Sequence, residues 1–163
     1  MFREMRRKRQ ALSEEASIEI LERCTSGVLA VAGDDGYPYA VPMSYVYHDG
    51  KLYFHCAEEG HKIDAITEND KVSFCVIDKD QIVEEEFTTY FRSVIVFGRA
   101  RVMSDGQAKI SAMRMLADKY SPNRAEARDE EIQQQLAHLG MIELTVEHIS
   151  GKEAIELVKQ RQK

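Results

Sequence analysis

The spacing of apolar residues predicts a helix near the beginning of the chain. Apolar side chains recur four positions apart at Ala16, Ile20 and Cys24, which places them on one face of a helix. Ser13 can cap the free N–H groups at the helix start, and the acidic residues 14–15 suit the positive end of the helix dipole. The pattern predicts a helix over about residues 13–24 whose apolar face packs on a larger element, which we expect to be a sheet.

Short apolar runs separated by turn residues follow from Gly27 onward. Asp35-Gly36 and Asp49-Gly50 each stand between two such runs, and glycine accepts the positive φ that tight hairpin turns require. These signals predict three antiparallel strands, at residues 27–33, 37–48 and 51–56. Three further strand-like runs lie at residues 71–78, 88–103 and 141–148, and the acidic residues 84–86 are expected in a solvated loop.

The helical period returns after residue 103. One helical face is shared by Ile110, Met113, Leu116, Ala117 and Tyr120. Ser121-Pro122 ends this helix, and a second helix over residues 127–139 stops at Gly140. The C-terminal helices are thus expected within about residues 106–139. Because strands outnumber helices, we expect a mainly β fold, an antiparallel barrel or strongly curled sheet with flanking helices outside.

The second predicted strand contains a proline. Pro42 cannot donate a hydrogen bond to a neighbouring strand, so this strand lies at an edge, carries a bulge or leaves nearby backbone groups free. Free backbone groups are able to bind a ligand. Large side chains alternate along the strand with the small ones of Ala40, Pro42 and Ser44, and the small face has room for a flat ring.

Composition places the chain among soluble globular proteins. It has 163 residues, 44% hydrophobic and 31% charged, which fits a single domain over residues 1–163. The longest apolar runs are far shorter than a bilayer span, and the N-terminus lacks the apolar core of a signal peptide. We therefore expect a cytoplasmic protein with no membrane partner.

Charge argues against nucleic acid as a partner. The formal net charge is −6, which repels a polyanion. The first nine residues are a local exception, since they carry Arg3, Arg6, Arg7, Lys8 and Arg9. This basic cluster is interpreted either as a solvated terminus or as a contact for a phosphate or a partner chain.

The cysteines and the standard motifs give little chemistry. Cys24, Cys56 and Cys75 are odd in number and lack C-x-x-C spacing, so we expect reduced residues without a disulfide or thiolate metal site. The sequence contains no G-x-G-x-x-G after a strand, no P-loop, no H-E-x-x-H and no G-x-S-x-G. A classical NAD-binding fold is therefore unsupported.

The stretch after the third predicted strand has the features of an anion-binding corner. A helix is predicted to begin at Gly60-His61-Lys62. Gly60 allows close approach of a ligand to the backbone, the first helical N–H groups have no partner within the helix, and Lys62 adds a positive charge. A phosphate would fit there; the alternative is an ordinary helix start with solvated side chains.

Two of the five histidines are predicted at one end of the sheet. His55 closes the third strand and His61 opens the following helix. A metal pair lacks acidic or cysteine ligands at suitable spacing, so we predict no metal site. An imidazole beside a bound anion or an electron-rich ring can donate hydrogen bonds and relay protons near neutral pH; a solvent-facing His61 is the alternative.

The longest strand candidate carries possible donors. Arg92 and Ser93 stand next to an apolar segment, and Arg99 and Arg101 share the alternate face with Ser93. These arginines either meet a phosphate or pair with some of the 28 acidic residues.

Several stretches together resemble a known family. They read GVLAV, YPYAVPMSYVYHDGKLYFHCAEEGHKIDAI, VSFCV and YFRSVIVFG. Their order and spacing resemble the FMN-binding split-barrel proteins, and more narrowly the nitroimidazole-resistance (Nim-type) branch of the pyridoxamine 5'-phosphate oxidase-like superfamily. The resemblance covers about residues 2–122.

The resemblance implies a six-stranded antiparallel split β-barrel that forms a homodimer with two flavin sites at the subunit interface. It implies that Pro42, Met43, Ser44 and Tyr45 line the isoalloxazine ring of FMN. It places Phe54, His55, His61 and Lys62 toward the phosphate or the ring edge, with Tyr90, Ser93 and Val94 from the long later strand. His61 is the residue implied for the reactive, catalytic position.

The resemblance also sets the expected function. We expect an FMN-dependent oxidoreductase that takes electrons from a donor such as NAD(P)H and passes them to a small electron-poor acceptor such as a nitroaromatic. The alternatives are a non-catalytic flavin- or haem-binding split-barrel module and a protein that uses a deazaflavin. Oxidation of vitamin B6 is not supported, because the C-terminal residues 151–163 lack the Arg-x-His word of true pyridoxamine phosphate oxidases.

Overall fold

The computed structural model describes residues 1–162. Its helices are α1 (Glu14–Arg23), α2 (His61–Glu68), α3 (Gly106–Tyr120), α4 (Ala125–Gln135) and α5 (Ile155–Arg161). Its strands are β1 (Ser26–Ala32), β2 (Pro38–Ser44), β3 (Val46–His48), β4 (Lys51–Cys56), β5 (Lys71–Val83), β6 (Thr88–Val102) and β7 (Gly140–Glu153). The expectation of a mainly β fold with flanking helices is confirmed.

All seven strands form one antiparallel sheet in the order β2-β1-β5-β6-β7-β4-β3. The two edge strands, β2 and β3, are separated along the chain only by Tyr45. A sheet whose opposite edges are consecutive segments must curl until those edges meet. The result is a split barrel that is not closed by hydrogen bonds between its edges. Pro42 lies on an edge strand, which is one of the three alternatives that its missing N–H allowed.

The strand count differs from the prediction because the second predicted strand is divided at Tyr45. The N–H of Tyr45 donates to the hydroxyl of Tyr120, at 2.9 Å, rather than to another strand. The other predicted strands are all present. Both Asp-Gly turns are confirmed, since Gly36 and Gly50 have φ values of +79° and +74° and join β1 to β2 and β3 to β4.

The barrel interior holds the main core. Phe54 and Phe74 meet edge to face with ring centroids 5.1 Å apart, and Leu29, Val96 and Leu144 pack around them. Helix α1 adds Ile20 and Leu21, and α2 adds Ile63, Ala65 and Ile66. The predicted serine cap of α1 is also present: Ala16 N–H donates to Ser13 Oγ at 3.1 Å.

Helices α3 and α4 lie outside the barrel over a second cluster. Its buried members are Val46, Tyr53, Met103, Ala112, Leu116, Leu139 and Met141. The helical face predicted for α3 is the one that packs, because Ile110 and Leu116 are buried on it. None of the helices in residues 1–162 is long and apolar enough to cross a bilayer.

Two strands exceed their predicted bounds, and one helix was not predicted. Strand β5 continues past residue 78 and pairs there with the first residues of β6. Residues 79–91 form a two-stranded hairpin that has no further strand on either side, and we call this hairpin the arm. Strand β7 runs to Glu153, and helix α5, which the sequence did not predict, follows it. Glycine and polar residues at 147–152 interrupt the apolar alternation that would have extended the strand prediction.

Candidate functional site

The predicted corner forms as expected at the start of α2. Gly60 is the N-cap, with φ +124°, a conformation that L side chains rarely adopt. Its carbonyl accepts from the N–H groups of Ile63 and Asp64 at 2.8 and 3.1 Å. Within residues 1–162 the N–H groups of His61 and Lys62 have no acceptor, so both are available to a ligand.

Lys62 supplies an unpaired positive charge at this corner. Its side chain is half-buried and forms no ion pair with the described residues. The surroundings are not uniformly positive, because Glu58 and Glu59 precede it in the loop and Asp64 follows in the first helical turn. An anion at this corner would meet the ammonium and the two free N–H groups together.

His61 is held in place by the turn between β1 and β2. Its ring stacks on Tyr39 with centroids 4.1 Å apart and planes 19° from parallel, and its Nε2 lies 3.7 Å from a carboxylate oxygen of Asp34. Gly33 makes room for it, since a Cβ there would lie 3.2 Å from His61 Nε2 and 2.7 Å from the Tyr37 carbonyl. The imidazole is 38% exposed, so it is positioned and still accessible.

The predicted ring-lining strand has the two faces that its sequence indicated. Ala40, Pro42 and Ser44 are exposed, while Met43 is half-buried against the core. The exposed side chains are small, so the outer surface of β2 is shallow and open. Tyr45, by contrast, is fully buried, and its hydroxyl donates to the Leu21 carbonyl at 2.7 Å.

Tyr120, the last residue of α3, fixes the point where this strand divides. Its hydroxyl accepts from Tyr45 N–H and lies 2.8 Å from the Tyr45 carbonyl, with the Thr25 carbonyl also in hydrogen-bond contact. Beside it, Lys119 Nζ lies 4.3 Å from the Tyr45 ring centroid and donates to the Cys24 carbonyl. Burial lowers the pKa of Lys119. Two consecutive residues of α3 thus hold both the backbone and the ring of Tyr45.

Two other predicted site residues have side chains inside the barrel. Phe54 and Val94 are both fully buried. Phe54 packs on Phe74, and Val94 lies in the same core. Neither residue has any exposed surface, so within one chain neither touches a ligand at the surface.

Tyr90 and Ser93 lie at the other end of the barrel from the corner. Tyr90 belongs to the arm, where its hydroxyl donates to Glu86 at 2.8 Å; Ser93 pairs with Ile77 and Lys152. Arg99 pairs with Lys71, which begins the strand after α2. Along β6, Tyr90 lies roughly 30 Å from Arg99 at the usual rise per residue. Within one chain the structure does not bring Tyr90 and His61 together.

The arginines proposed as phosphate donors are engaged with carboxylates. Arg99 pairs with Asp70 and Glu147, at 2.8 and 2.9 Å, and Arg101 pairs with Glu143, at 2.8 Å. For these two arginines the salt-bridge alternative is the correct one.

Arg92 belongs to a buried ionic network that sequence reasoning missed. It donates to Asp78 and to the fully buried Glu153, at 3.2 and 3.1 Å. Arg23 also pairs with Asp78 at 2.8 Å, and Arg161 pairs with Glu153. Asp78 sits where the β5–β6 register shifts, and this bulge turns it toward α1. The local sequence carries no signal for this network, because its members are far apart along the chain.

His55 and the cysteines are in uncharged forms. Desolvation lowers the pKa of His55 from its ordinary 6.5, so the exposed ring is neutral at pH 7. Burial raises the pKa of Cys56 and of Cys75, and of Cys24, where Asp78 adds to the effect. All three cysteines are free thiols. No hydrogen bond or stacking contact joins His55 to His61 in the described chain.

The arrangement suits anion binding beside a histidine side chain. Residues 1–162 contain no group of three or more His, Cys, Asp or Glu placed to hold a metal ion. At the corner, the free N–H groups belong to His61 and Lys62, which carry an imidazole and an ammonium at the first two positions of α2. Sequence reasoning found His61 and Lys62 but missed Tyr39 and Tyr120, whose contacts with His61 and Tyr45 cross long stretches of chain.

Comparison with protein families gives one clear result. The family model described as pyridoxamine 5'-phosphate oxidase matches residues 13–153, which is most of the chain. No curated protein matches the sequence significantly.

Solved structures with the same fold extend this result. A protein described as a 5-nitroimidazole antibiotic resistance protein, from Bacteroides thetaiotaomicron, is 20% identical with a TM-score of 0.75, over 88% of this chain and 86% of that one. A flavocytochrome from Azotobacter vinelandii is 21% identical with a TM-score of 0.80, over 93% and 72%. An FAD-binding protein from Mesorhizobium loti is 26% identical with a TM-score of 0.62, over 89% and 97%.

Proposed function

Because this chain belongs to the pyridoxamine 5'-phosphate oxidase family, we propose that it is a flavoprotein that binds FMN and acts as an oxidoreductase. The observation that carries the proposal is the corner at residues 60–62. There two free backbone N–H groups and Lys62, which forms no ion pair with the described residues, stand at the same helix start as His61, whose ring stacks on Tyr39. The flavocytochrome and the FAD-binding protein that share its fold support a flavin as the cofactor class.

The residues of the corner fit the parts of FMN. Lys62 and the N–H groups of His61 and Lys62 would hold its phosphate, the group that a helix start with a fixed cation binds best. The exposed small side chains of Ala40, Pro42 and Ser44 offer a shallow face on which the flat ring would lie. Bound FMN would supply the electron transfer that no side chain of this protein can perform.

His61 is the residue we assign to proton transfer. Its stack on Tyr39 and its position 3.7 Å from the Asp34 carboxylate orient the imidazole while leaving it accessible. Such a ring can donate a proton or a hydrogen bond to an acceptor beside the flavin. We propose NAD(P)H as the electron donor and a small electron-poor compound such as a nitroaromatic as the acceptor, in the cytoplasm.

We further propose a homodimer in which each site draws on both chains. Tyr90 and Ser93 lie roughly 30 and 20 Å along the sheet from the Lys71–Arg99 pair at the corner end of their own chain, so we assign their predicted role to a second copy. The outer face of the sheet is apolar where the strands pair side by side, with exposed Val28, Ile77 and Ile95 next to Pro42. Apolar patches of this kind commonly mark contacts between chains.

A second candidate function is a binding module without turnover, for a flavin or for haem. The observation that favours it is His55, an exposed imidazole whose lowered pKa keeps it neutral and thus able to ligate iron. A deazaflavin in place of FMN is a further variant of the leading proposal.

Native mass spectrometry of the purified protein, with its visible absorption spectrum, tests these proposals together. We expect a yellow dimer carrying two FMN. Titration of cofactor-free protein with FMN, a deazaflavin and haem, side by side, separates the cofactor classes; preference for the deazaflavin or haem would reject FMN. The variant His61→Ala should keep bound FMN and lose most nitroaromatic reduction with NAD(P)H. Full turnover in that variant would remove His61 from the reaction.

A further inference from the structure

The unpaired arginines of this protein are concentrated in one segment. From Arg23 onward every arginine except Arg124 pairs with a carboxylate among the described residues. By contrast, no ion pair within residues 1–162 involves Arg3, Arg6, Arg7 or Arg9, and Lys8 pairs only with the exposed Glu4. In a chain with a net charge of −6, this basic N-terminal segment, residues 3–9, is thus an exposed surface of positive charge that an acidic partner could bind.

The basic N-terminal segment borders a cleft. The cleft has a volume of about 480 Å³ and is lined by Arg6, Arg7, Lys8, Arg9, Gln10 and Ile155. Ile155 provides an apolar floor. The side chain of Gln10 is 4% exposed, and its amide oxygen finds no donor in the described chain. Because this oxygen can only accept a hydrogen bond, the groups of the cleft that can bind an anion are the basic side chains around it.

The tip of the arm has the opposite charge and no partner of its own. Glu84, Glu85 and Glu86 are exposed, and of the three only Glu86 has a side-chain contact within residues 1–162, the bond from Tyr90. Phe87 and Ile82 are 97% and 80% exposed. A two-stranded hairpin is at best marginally stable in water without something to pack against, and large exposed apolar side chains at its end mark a contact surface.

We infer that the acidic tip of the arm docks in the basic cleft of a second copy of this chain. The carboxylates of Glu84 and Glu85 would meet Arg6 and Arg7, and Phe87 would reach toward the apolar floor at Ile155. In a two-fold dimer the contact is made twice, each arm reaching the other chain. The inference rests on the homodimer in the proposed function and identifies a surface that holds it together.

Charge reversal tests the contact in the intact chain. Glu84→Lys/Glu85→Lys leaves the Tyr90–Glu86 bond in place, and Arg6→Glu/Arg7→Glu changes the other surface. Each double variant should raise the dimer dissociation constant about tenfold in sedimentation at low salt, with unchanged circular dichroism. Because exposed charges are screened by salt, the loss should shrink at high salt. The control Glu126→Lys/Glu130→Lys makes, on α4, the same change of net charge as the Glu84/Glu85 variant and should have little effect.

Mixing the two variants identifies the chain that the arm contacts. In a mixed dimer both docking contacts join opposite charges again, whereas each homodimer contains only like-charge contacts. Native mass spectrometry of the mixture should show mostly heterodimer. Purely statistical mixing would overturn the inference, because it would place the arm against its own chain or in solvent. A dissociation constant unchanged by either variant would also overturn it.

The flavin content of the same samples separates this inference from the proposed function. FMN in a wild-type dimer that resists charge reversal would reject the arm contact and leave the proposed function standing. A dimer without flavin that weakens on charge reversal and forms heterodimers on mixing would reject the proposed function and leave the arm contact standing. A wild-type monomer at all concentrations would reject the arm contact, and its flavin absorbance would report on the cofactor independently.

Discussion

Charged side chains are paired at one end of the barrel and include an unpaired lysine at the other. At one end Arg92 and Glu153 are enclosed and fully paired, with Asp78, Arg23 and Arg161 completing the network. At the other end Lys62 is half-buried and has no carboxylate partner among the described residues. The first arrangement uses charge to join helices α1 and α5 to the sheet; the second leaves charge available. Substitution of a charged residue should therefore lower the stability of the fold at the first end and weaken ligand binding at the second.

Removing the carboxylate of Glu153 is the strongest way to break the paired end. Glu153→Ala removes the fully buried carboxylate that Arg92 and Arg161 share, while Arg92 keeps Asp78 and Arg161 is 57% exposed. We expect a loss of about 2 to 3 kcal/mol, the upper part of the range for hydrogen bonds to charged groups. Urea unfolding measures the loss. The control Glu147→Ala removes an exposed partner of Arg99 and should cost less than about 1 kcal/mol. Equal losses in both variants would contradict the structural role of the network.

Removing Lys62 should weaken ligand binding and leave the stability of the fold nearly unchanged. Lys62→Ala is expected to weaken FMN binding by about 1 to 3 kcal/mol, the range for a hydrogen bond to a charged group. Urea unfolding without FMN should be nearly unchanged, because no ion pair is lost. Lys71→Ala, which removes an exposed lysine of β5, is the matched control in fluorescence titrations. Unaltered FMN affinity in Lys62→Ala would show that the phosphate binds elsewhere.

Tyr120 connects folding to the proposed ring-lining strand. Tyr120→Phe removes the hydroxyl that accepts from Tyr45 N–H, and the unpaired group should cost about 1 to 2 kcal/mol of stability. We expect a smaller decrease in FMN affinity, since Pro42 and Ser44 directly precede this point. Tyr37→Phe, which changes a tyrosine that is 76% exposed, should alter neither quantity. Wild-type stability in Tyr120→Phe would mean that another group satisfies the Tyr45 backbone.

The smallest expected effect is a pH dependence at the paired end. Partial burial raises the pKa of Asp78, but hydrogen bonds from Arg23 and Arg92 outweigh it, so the pKa lies below its ordinary 3.8. A lowered pKa in the folded state gives stability that is present above pH 3.8 and is lost as the pH falls through the folded value. The free energy of unfolding, measured from pH 6 down to pH 2, should fall less steeply with pH in Asp78→Asn than in wild type. Identical slopes would exclude this contribution of Asp78.

The sequence predicted what local patterns determine. The Asp-Gly hairpins and the helix start at Gly60 depend on residues close together in the chain. Pro42 limited its strand to an edge, a bulge or free backbone groups, and the structure shows the edge. The network around Asp78 and the bonds of Tyr120 to Tyr45 were not predictable, because they join residues 14 to 75 positions apart. The stacking of His61 on Tyr39 has the same cause: it arises only when α2 packs on the β1–β2 turn.

The position of β7 in the sheet has a consequence for the order in which the protein folds. This strand, Gly140–Glu153, lies between β6 and β4, so the β3–β4 hairpin cannot join the sheet until residues 140–153 have been synthesised. Hairpins β1–β2 and β5–β6 can form earlier from local contacts, while closure of the barrel depends on the most distant pairings and should be slow. A nascent chain halted before residue 140 would expose two incomplete sheet edges, the form in which this protein is most prone to aggregate.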